Sequence, residues 1–303
     1  MRNAFIEELT VLAEKNEKIF LIVGDLGFGV IEHFEEKFPQ QFLNAGVAEQ
    51  NMMGMAAGLA SAGYQVFVYS IGNFPTFRCL EQIRNDVCYE ELNVTIVSIG
   101  AGLSYGTLGY SHHTIDDIGV MNSLPGMTIY SPADPIETRL SLDLSISIKT
   151  PKYFRLGKSG EPDVFTSTQS NFPDWTPLAN GERLLLLTTG AITAEALKAV
   201  ETLRHDGIDV SLCTIPVLKP FQFDKEYVQN FKHILVVEEH SISGGLGSIV
   251  SEQIALNGMS VNLVKLGLPD LVHHEIGSQE YLRSFFSINT KGIVNKVKEM
   301  LQH

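Results

Sequence analysis

Cysteine is scarce in this sequence. Cys79, Cys88 and Cys213 are the three in 303 residues, and no two of them form a Cys-x-x-Cys pair. A disulfide framework and a cysteine zinc site are thereby excluded, and the three read as reduced, buried thiols of a cytoplasmic protein. Positive charge is short as well, with 22 Lys and Arg against 35 Asp and Glu for a net charge of −13. A surface that acidic repels phosphate backbones and anionic lipid, so neither nucleic acid nor a membrane is an expected partner. A small anion can still find a local basic pocket. The opening stretch has no uninterrupted apolar run, because Glu7, Glu8 and Glu14 punctuate its apolar positions. Neither a signal peptide nor a membrane helix is expected there. Internal repeats and low-complexity tracts are missing too.

What is present is core-forming material. Hydrophobic residues make up 44% and charged residues 19% of the chain, enough for two compact domains at roughly 100–200 residues each. Phe5, Leu9 and Leu12 are spaced for one helical face,. Strands are predicted at Ile19–Val23, Val66–Tyr69, Val94–Ile99, Thr128–Tyr130 and Tyr153–Phe154, with helical segments near 49–62, 76–88 and 134–146. Residues 159–180 are turn-rich and aperiodic,. Beyond them strands are expected at Leu184–Thr188, Val210–Ile215, Ile234–Val237 and Val261–Leu266, with helices at Thr193–His205 and Gly247–Asn257. Alternation of this kind predicts an α/β protein of two domains, each a mostly parallel sheet flanked by helices. The expected division is residues 1–160, a linker over 161–180, and residues 181–303.

One segment stands out chemically. Phe42-Leu43-Asn44-Ala45-Gly46-Val47-Ala48-Glu49 leads into a helix dense in Gly, Ala and Met that runs to Ala60. Small residues let such a helix approach another backbone closely, and Met fills irregular gaps. A carboxylate at the head of so apolar a helix is costly to bury unless a donor meets it. Taken alone, a first-turn Glu more often just complements the helix dipole. Context shifts the weighting. The Gly46-Val47-Ala48-Glu49 stretch with its small-residue helix resembles the pyrimidine-binding domain of the transketolase family. Phe74-Pro75-Thr76-Phe77-Arg78-Cys79-Leu80-Glu81-Gln82 resembles that family's aromatic-rich helix, and Ser111-His112-His113 its Ser/Thr-His-Gln turn. Val237-Glu238-Glu239-His240-Ser241-Ile242-Ser243-Gly244-Gly245-Leu246-Gly247 is similar to its C-terminal signature. The likeness runs in order along nearly the whole chain.

The resemblance implies thiamine diphosphate as cofactor and transfer of a two-carbon ketol unit between sugars. By the match, Glu49 is the carboxylate that meets the aminopyrimidine ring, so that the cofactor's own amino group can take the proton from its thiazolium carbon. Glu49 would then share a proton instead of standing as a free anion. Phe74 would stack on the pyrimidine, Phe77 would form a neighbouring wall, and Asp25, in Asp25-Leu26 after the first strand, would lie near the cofactor. For both Phe residues plain core packing competes, more closely for Phe77. His112 would face the cofactor and move protons at a substrate hydroxyl or carbonyl. His113 would contact substrate, stand behind His112, or be solvated. The two adjacent rings should diverge, so no metal is expected on this chain.

The family's Mg²⁺-binding Gly-Asp-Gly motif and later Asn have no true counterpart. Gly24-Asp25-Leu26 fails at its third position, and Asn51 belongs to the Glu49 motif. The resemblance therefore implies an N-terminal transketolase-like partner subunit that holds Mg²⁺ and the diphosphate, and a homodimer contact through this chain. The expected assembly is a two-plus-two heterotetramer, inactive without the partner. Departures from the family bear on the sugar. Leu108 stands four positions before His112, where ordinary transketolases carry an acid. The family's phosphate-reading His and Ser are replaced in Ile99-Gly100-Ala101-Gly102 and Gly27-Phe28-Gly29. Arg2 and Lys158 are the candidate substitutes. Each lost charged hydrogen bond is worth about 1.5–3 kcal/mol, so the expected substrate is a modified or nucleotide-linked keto sugar and not a common pentose phosphate. Two other readings stay open: the beta subunit of a 2-oxoacid dehydrogenase decarboxylating component, and a non-catalytic scaffold. Gly244-Gly245-Leu246-Gly247 can hold an anion at a helix N-terminus but lacks the full dinucleotide fingerprint,.

Overall fold

Residues 1–165 and 175–302 are described by the computed structural model and build two sheets of mostly parallel strands flanked by helices, as the alternation predicts. The first half supplies β1 (Ile19–Val23), β2 (Phe42–Asn44), β3 (Gln65–Ile71), β4 (Val94–Ile99), β5 (Thr128–Tyr130) and β6 (Lys152–Leu156). The second supplies β7 (Thr176–Ala179), β8 (Leu185–Thr188), β9 (Ser211–Thr214), β10 (Val217–Lys219), β11 (His233–Ser241) and β12 (Asn262–Leu268). The strand orders are β10-β5-β6-β4-β3-β1-β2 and β12-β11-β8-β9-β7. Every pairing is parallel except β5 with β10 and β7 with β9.

Burial on both faces explains the β-branched runs Ile-Phe-Leu-Ile-Val in β1 and Val-Thr-Ile-Val-Ser-Ile in β4,. Successive side chains point to opposite faces. Leu21 and Val23 pack with Phe5, Leu9, Phe67 and Phe154 under the Arg2–Lys15 and Pro135–Ser145 helices. Ile22 faces the other way, into a core shared with Met52, Val68, Ile96, Leu187, Val236 and Leu246. That second core runs from one sheet to the other without a break. The two halves are packed against each other through it.

Several features differ from the sequence reading. The expected linker ends in a strand: β7 pairs with β9, while residues 166–174, with most of the aperiodic stretch, lie outside the described residues. The helix expected near 76–88 starts earlier and is not uniform. It winds as an α turn at Asn73–Thr76, a 3-10 turn at Phe77–Cys79, an α turn at Leu80–Gln82 and a π segment at Ile83–Cys88. Pro75 brings no N–H, Thr76 Oγ1 donates to Gly72 O at 2.8 Å, and Cys79 Sγ to Phe74 O at 3.5 Å. Side chains that enter the ladder in this way change its pitch. Two unexpected helices, Gln279–Phe285 and Thr290–Met300, are opened by Ser278 and Asn289, which accept from Tyr281 N–H and Gly292 N–H,. No helix among the described residues is long and apolar enough to cross a membrane.

Candidate active site

Parallel strands bring their carboxyl ends to one side, where an α/β sheet leaves room for a ligand. β1 leads to Asp25, β2 to Gly46, β3 to Asn73 and β4 to Gly100–Gly102. The residues singled out above collect along this edge.

Glu49 is the first residue of the Glu49–Ser61 helix and is 6% exposed. Gly46, at φ +71°, turns the chain from β2 into it. The donor that a buried carboxylate needs comes from the chain itself: Arg78 Nη1 lies 3.1 Å from Glu49 Oε1. The same guanidinium sits 4.0 Å above the centre of the Phe74 ring. Arg78 follows Phe74 by four residues, the spacing that puts two side chains on one helical face. A hollow of 490 Å³ opens beside the pair, lined by Val47, Ala48, Glu49, Gln50, Asn51 and Arg78. Phe77 is half-buried at the head of the 3-10 turn. Cys79, beneath, is pushed up to about 12 by burial and then by Glu49, so it stays a thiol.

Asp25 is exposed at φ +56°. Its N–H donates to Asn44 Oδ1 at 3.1 Å, and Asn44 Nδ2 donates back to Asp25 Oδ1 at 3.2 Å. Asn44 Oδ1 also accepts Gly46 N–H at 3.0 Å, so one amide ties the ends of β1 and β2 just ahead of Glu49.

His112 reaches the edge of Phe74, ring centres 5.3 Å apart. Ser111 Oγ lies 3.0 Å from its Nδ1. Asn73 Nδ2 donates to Ser111 O at 3.1 Å and His113 O at 3.0 Å, gripping the turn on both sides of His112. Burial, then the charges of His113 and Arg78, hold the His112 imidazole below its ordinary range, which favours the neutral ring near pH 7. His113 turns away, as expected for neighbours on an irregular backbone. It is 3% exposed with Nε2 3.2 Å from Gly106 O.

Arg2 and Lys158 share a neighbour. Lys158 Nζ sits 5.2 Å over the Tyr105 ring, and the Arg2 charge opposes the upward push of burial on the Tyr105 hydroxyl. Tyr105 in turn lies 6.5 Å from His112, ring to ring. The Tyr105 ring fills the space a side chain at Gly100 would need: a Cβ there, at φ +93°, would lie 2.2 Å from it. Leu108 stands 53% exposed in the same loop. Among the described residues no three His, Cys, Asp or Glu gather to hold a metal.

Sequence reasoning missed Arg78, Asn73, Asn44 and Tyr105. Arg78 alone had a local signal, as a cation four residues after an aromatic. Asn44 and Asn73 act across gaps of 19 to 40 residues, and Tyr105 is brought to His112 and Lys158 by the loop's own path.

Glu49, Phe74 and Arg78 together test whether a thiamine-type cofactor fits. A guanidinium is planar, cationic and rich in N–H donors, and it rests on Phe74 while donating to Glu49. A protonated aminopyrimidine presents the same flat face and the same donors, so the residues fit that group. The arrangement is that of a ligand-binding α/β protein with its site outside the strand ends. Residues 1–161 match the transketolase pyrimidine binding domain and residues 174–293 the transketolase C-terminal domain, and the chain belongs to the transketolase family. It is 35% identical to a putative transketolase C-terminal section from Methanocaldococcus jannaschii, over 100% of this chain and 96% of that protein. It is 32% identical to one of the subunits of an apulose-4-phosphate transketolase from Phocaeicola vulgatus, over 99% of this chain and 97% of that one. A solved structure described as a split gene transketolase, inactive beta4 tetramer, superposes with a TM-score of 0.87 at 33% identity, covering 99% of this chain and 97% of its own.

Proposed function

We propose that this chain is the C-terminal subunit of a split, thiamine diphosphate-dependent transketolase, with residues 1–160 as its first domain and the second opening at β7, inside the 161–180 stretch expected as a linker. The seat formed by Glu49 and Phe74, and filled by Arg78, is the observation that carries the reading. Glu49 and the Phe74 face would hold the aminopyrimidine, with Asp25 and Phe77 at its margins. When bound, the cofactor supplies the nucleophilic carbon that takes up the two-carbon unit. His112, kept neutral and gripped by Ser111 and Asn73, gives or takes a proton at the sugar's hydroxyl or carbonyl,. Arg2 and Lys158 place positive charge beside Tyr105 for an anionic end of the substrate.

An N-terminal transketolase-like subunit would hold Mg²⁺ and the diphosphate, and two copies of each chain would form the working assembly in the cytoplasm. The description of a similar single-chain tetramer as inactive supports that dependence. The sugar is proposed to be modified or nucleotide-linked. Leu108 brings no carboxylate to the donor, and a relative is named for apulose 4-phosphate, not for a common pentose phosphate.

Reconstitution with the partner subunit tests the whole reading. The parent should transfer a ketol unit, and Glu49→Gln should lose about 10²–10⁴-fold in kcat. Parent-like turnover by Glu49→Gln, or turnover of a 2-oxoacid in place of a ketose, would overturn it. High activity on xylulose 5-phosphate and ribose 5-phosphate would overturn the substrate class alone.

A further inference from the structure

The loop from Gly102 to Thr114 carries Tyr105 and His112, yet much of what holds it belongs to the other sheet. Its ends clasp each other: Gly102 N–H donates to Thr114 O at 2.8 Å and Thr114 N–H to Gly102 O at 2.9 Å. Just inside the clasp, Leu103 N–H donates to Glu239 Oε1 at 2.7 Å, from a residue 136 positions later at the end of β11. Glu239 is 5% exposed and fully engaged. Gln279 Nε2 donates to Oε1 at 2.8 Å, and Arg283 Nε and Nη2 to Oε2 at 2.7 and 2.5 Å. The Gln279 amide also reaches Ser104 Oγ at 3.2 Å, and Gly277 N–H reaches Gly106 O at 3.3 Å. Gly102 sits at φ +64°, where a Cβ would lie 2.6 Å from Glu239 Cγ. Loop and carboxylate are shaped to this approach.

A buried carboxylate–guanidinium pair contributes little net stability compared with apolar side chains of the same volume. Its distinctive contribution is direction. The charge-assisted bond to Leu103 N–H is strong and oriented, and it is aimed at the backbone that leads to His112. We propose that Glu239, itself oriented by Gln279 and Arg283, is a positioning residue for the His112 loop. The second domain then sets the geometry of substrate handling. This rests on the reading of His112 as the proton-transfer group.

Glu239→Gln tests it in two settings. In the full chain alone, hydrogen exchange over 103–112 should quicken roughly tenfold, with the Glu49–Ser61 helix unchanged. In the complex with the partner subunit, kcat/KM for the ketose donor should fall about 10–100-fold, with thiamine diphosphate affinity unchanged. Adding Arg283→Gln, which removes the charge left facing the new amide, should recover protection and part of the rate. Where Glu239→Gln does not fold, Gln279→Leu should give the same localised signature at smaller size. Unchanged exchange at 103–112, or a loss spread over the whole chain together with cofactor affinity, would overturn the proposal. If the parent complex turns over no ketose while the exchange difference stands, the anchoring is upheld and the functional reading is the one that fails.

Discussion

At the scale of single residues, Arg78 competes for the seat it reveals. It is 50% exposed, so its ion pair with Glu49 is screened by solvent and contributes little,. Its contact with the Phe74 face adds about 0.5–1 kcal/mol. Arg78→Met should therefore tighten thiamine diphosphate binding to the complex by about fivefold, the factor that corresponds to about 1 kcal/mol. A calorimetric titration reads this directly, and equal or weaker affinity would show that Arg78 does not occupy the cofactor's place. Glu49, Phe74 and His112 were legible in the sequence because each is a chemically expressive residue inside a short motif. Asn73 and Asn44 were not. An asparagine that grips a turn 40 residues away looks in sequence like any polar loop residue.

At the scale of elements, the Pro135–Ser145 helix carries a pH-sensitive cap. Asp134 Oδ1 accepts Glu137 N–H at 2.7 Å, and Glu137 reaches back to Ala133 N–H. This is a reciprocal cap like those common at helix starts. Glu137 is fully enclosed, and burial, partly offset by Ala133 N–H and reinforced by Asp134, pushes its carboxyl up to about 8. The folded state thus keeps a proton that the unfolded chain releases near its ordinary value. The contribution to stability is complete below about pH 4.5 and is lost as pH rises through about 8. Glu137→Gln cannot ionise. Its Tm should match the parent near pH 5 and exceed it near pH 9, and a gap that does not vary with pH would contradict the assignment. Regular elements were legible wherever periodicity was strong, as in Thr193–His205, whose limits agree end to end. The stretch expected as one helix near 76–88 is interrupted by side chains turned back onto the backbone, which composition does not display.

At the scale of the whole molecule, the halves are interlocked. β10 leaves the second half to border β5 in the first sheet, and one apolar core serves both sheets. A fragment of residues 1–165 would expose β5 as a raw edge and uncover that core. It should elute from size exclusion as aggregates, where the intact chain gives a defined species; a soluble, monodisperse fragment would show the border is dispensable. Two α/β units were legible from strand–helix alternation. The crossing was not, since Val217-Leu218-Lys219 is too short to show a period.

The same crossing governs when the protein can finish folding. A ribosome completes Tyr130 long before it reaches Val217, and at about 5–20 residues per second the nascent first sheet waits roughly 4–17 s for its last neighbour,. Over that interval the emerging polypeptide presents an open flank to its surroundings, and shielding by a holding chaperone would matter most there.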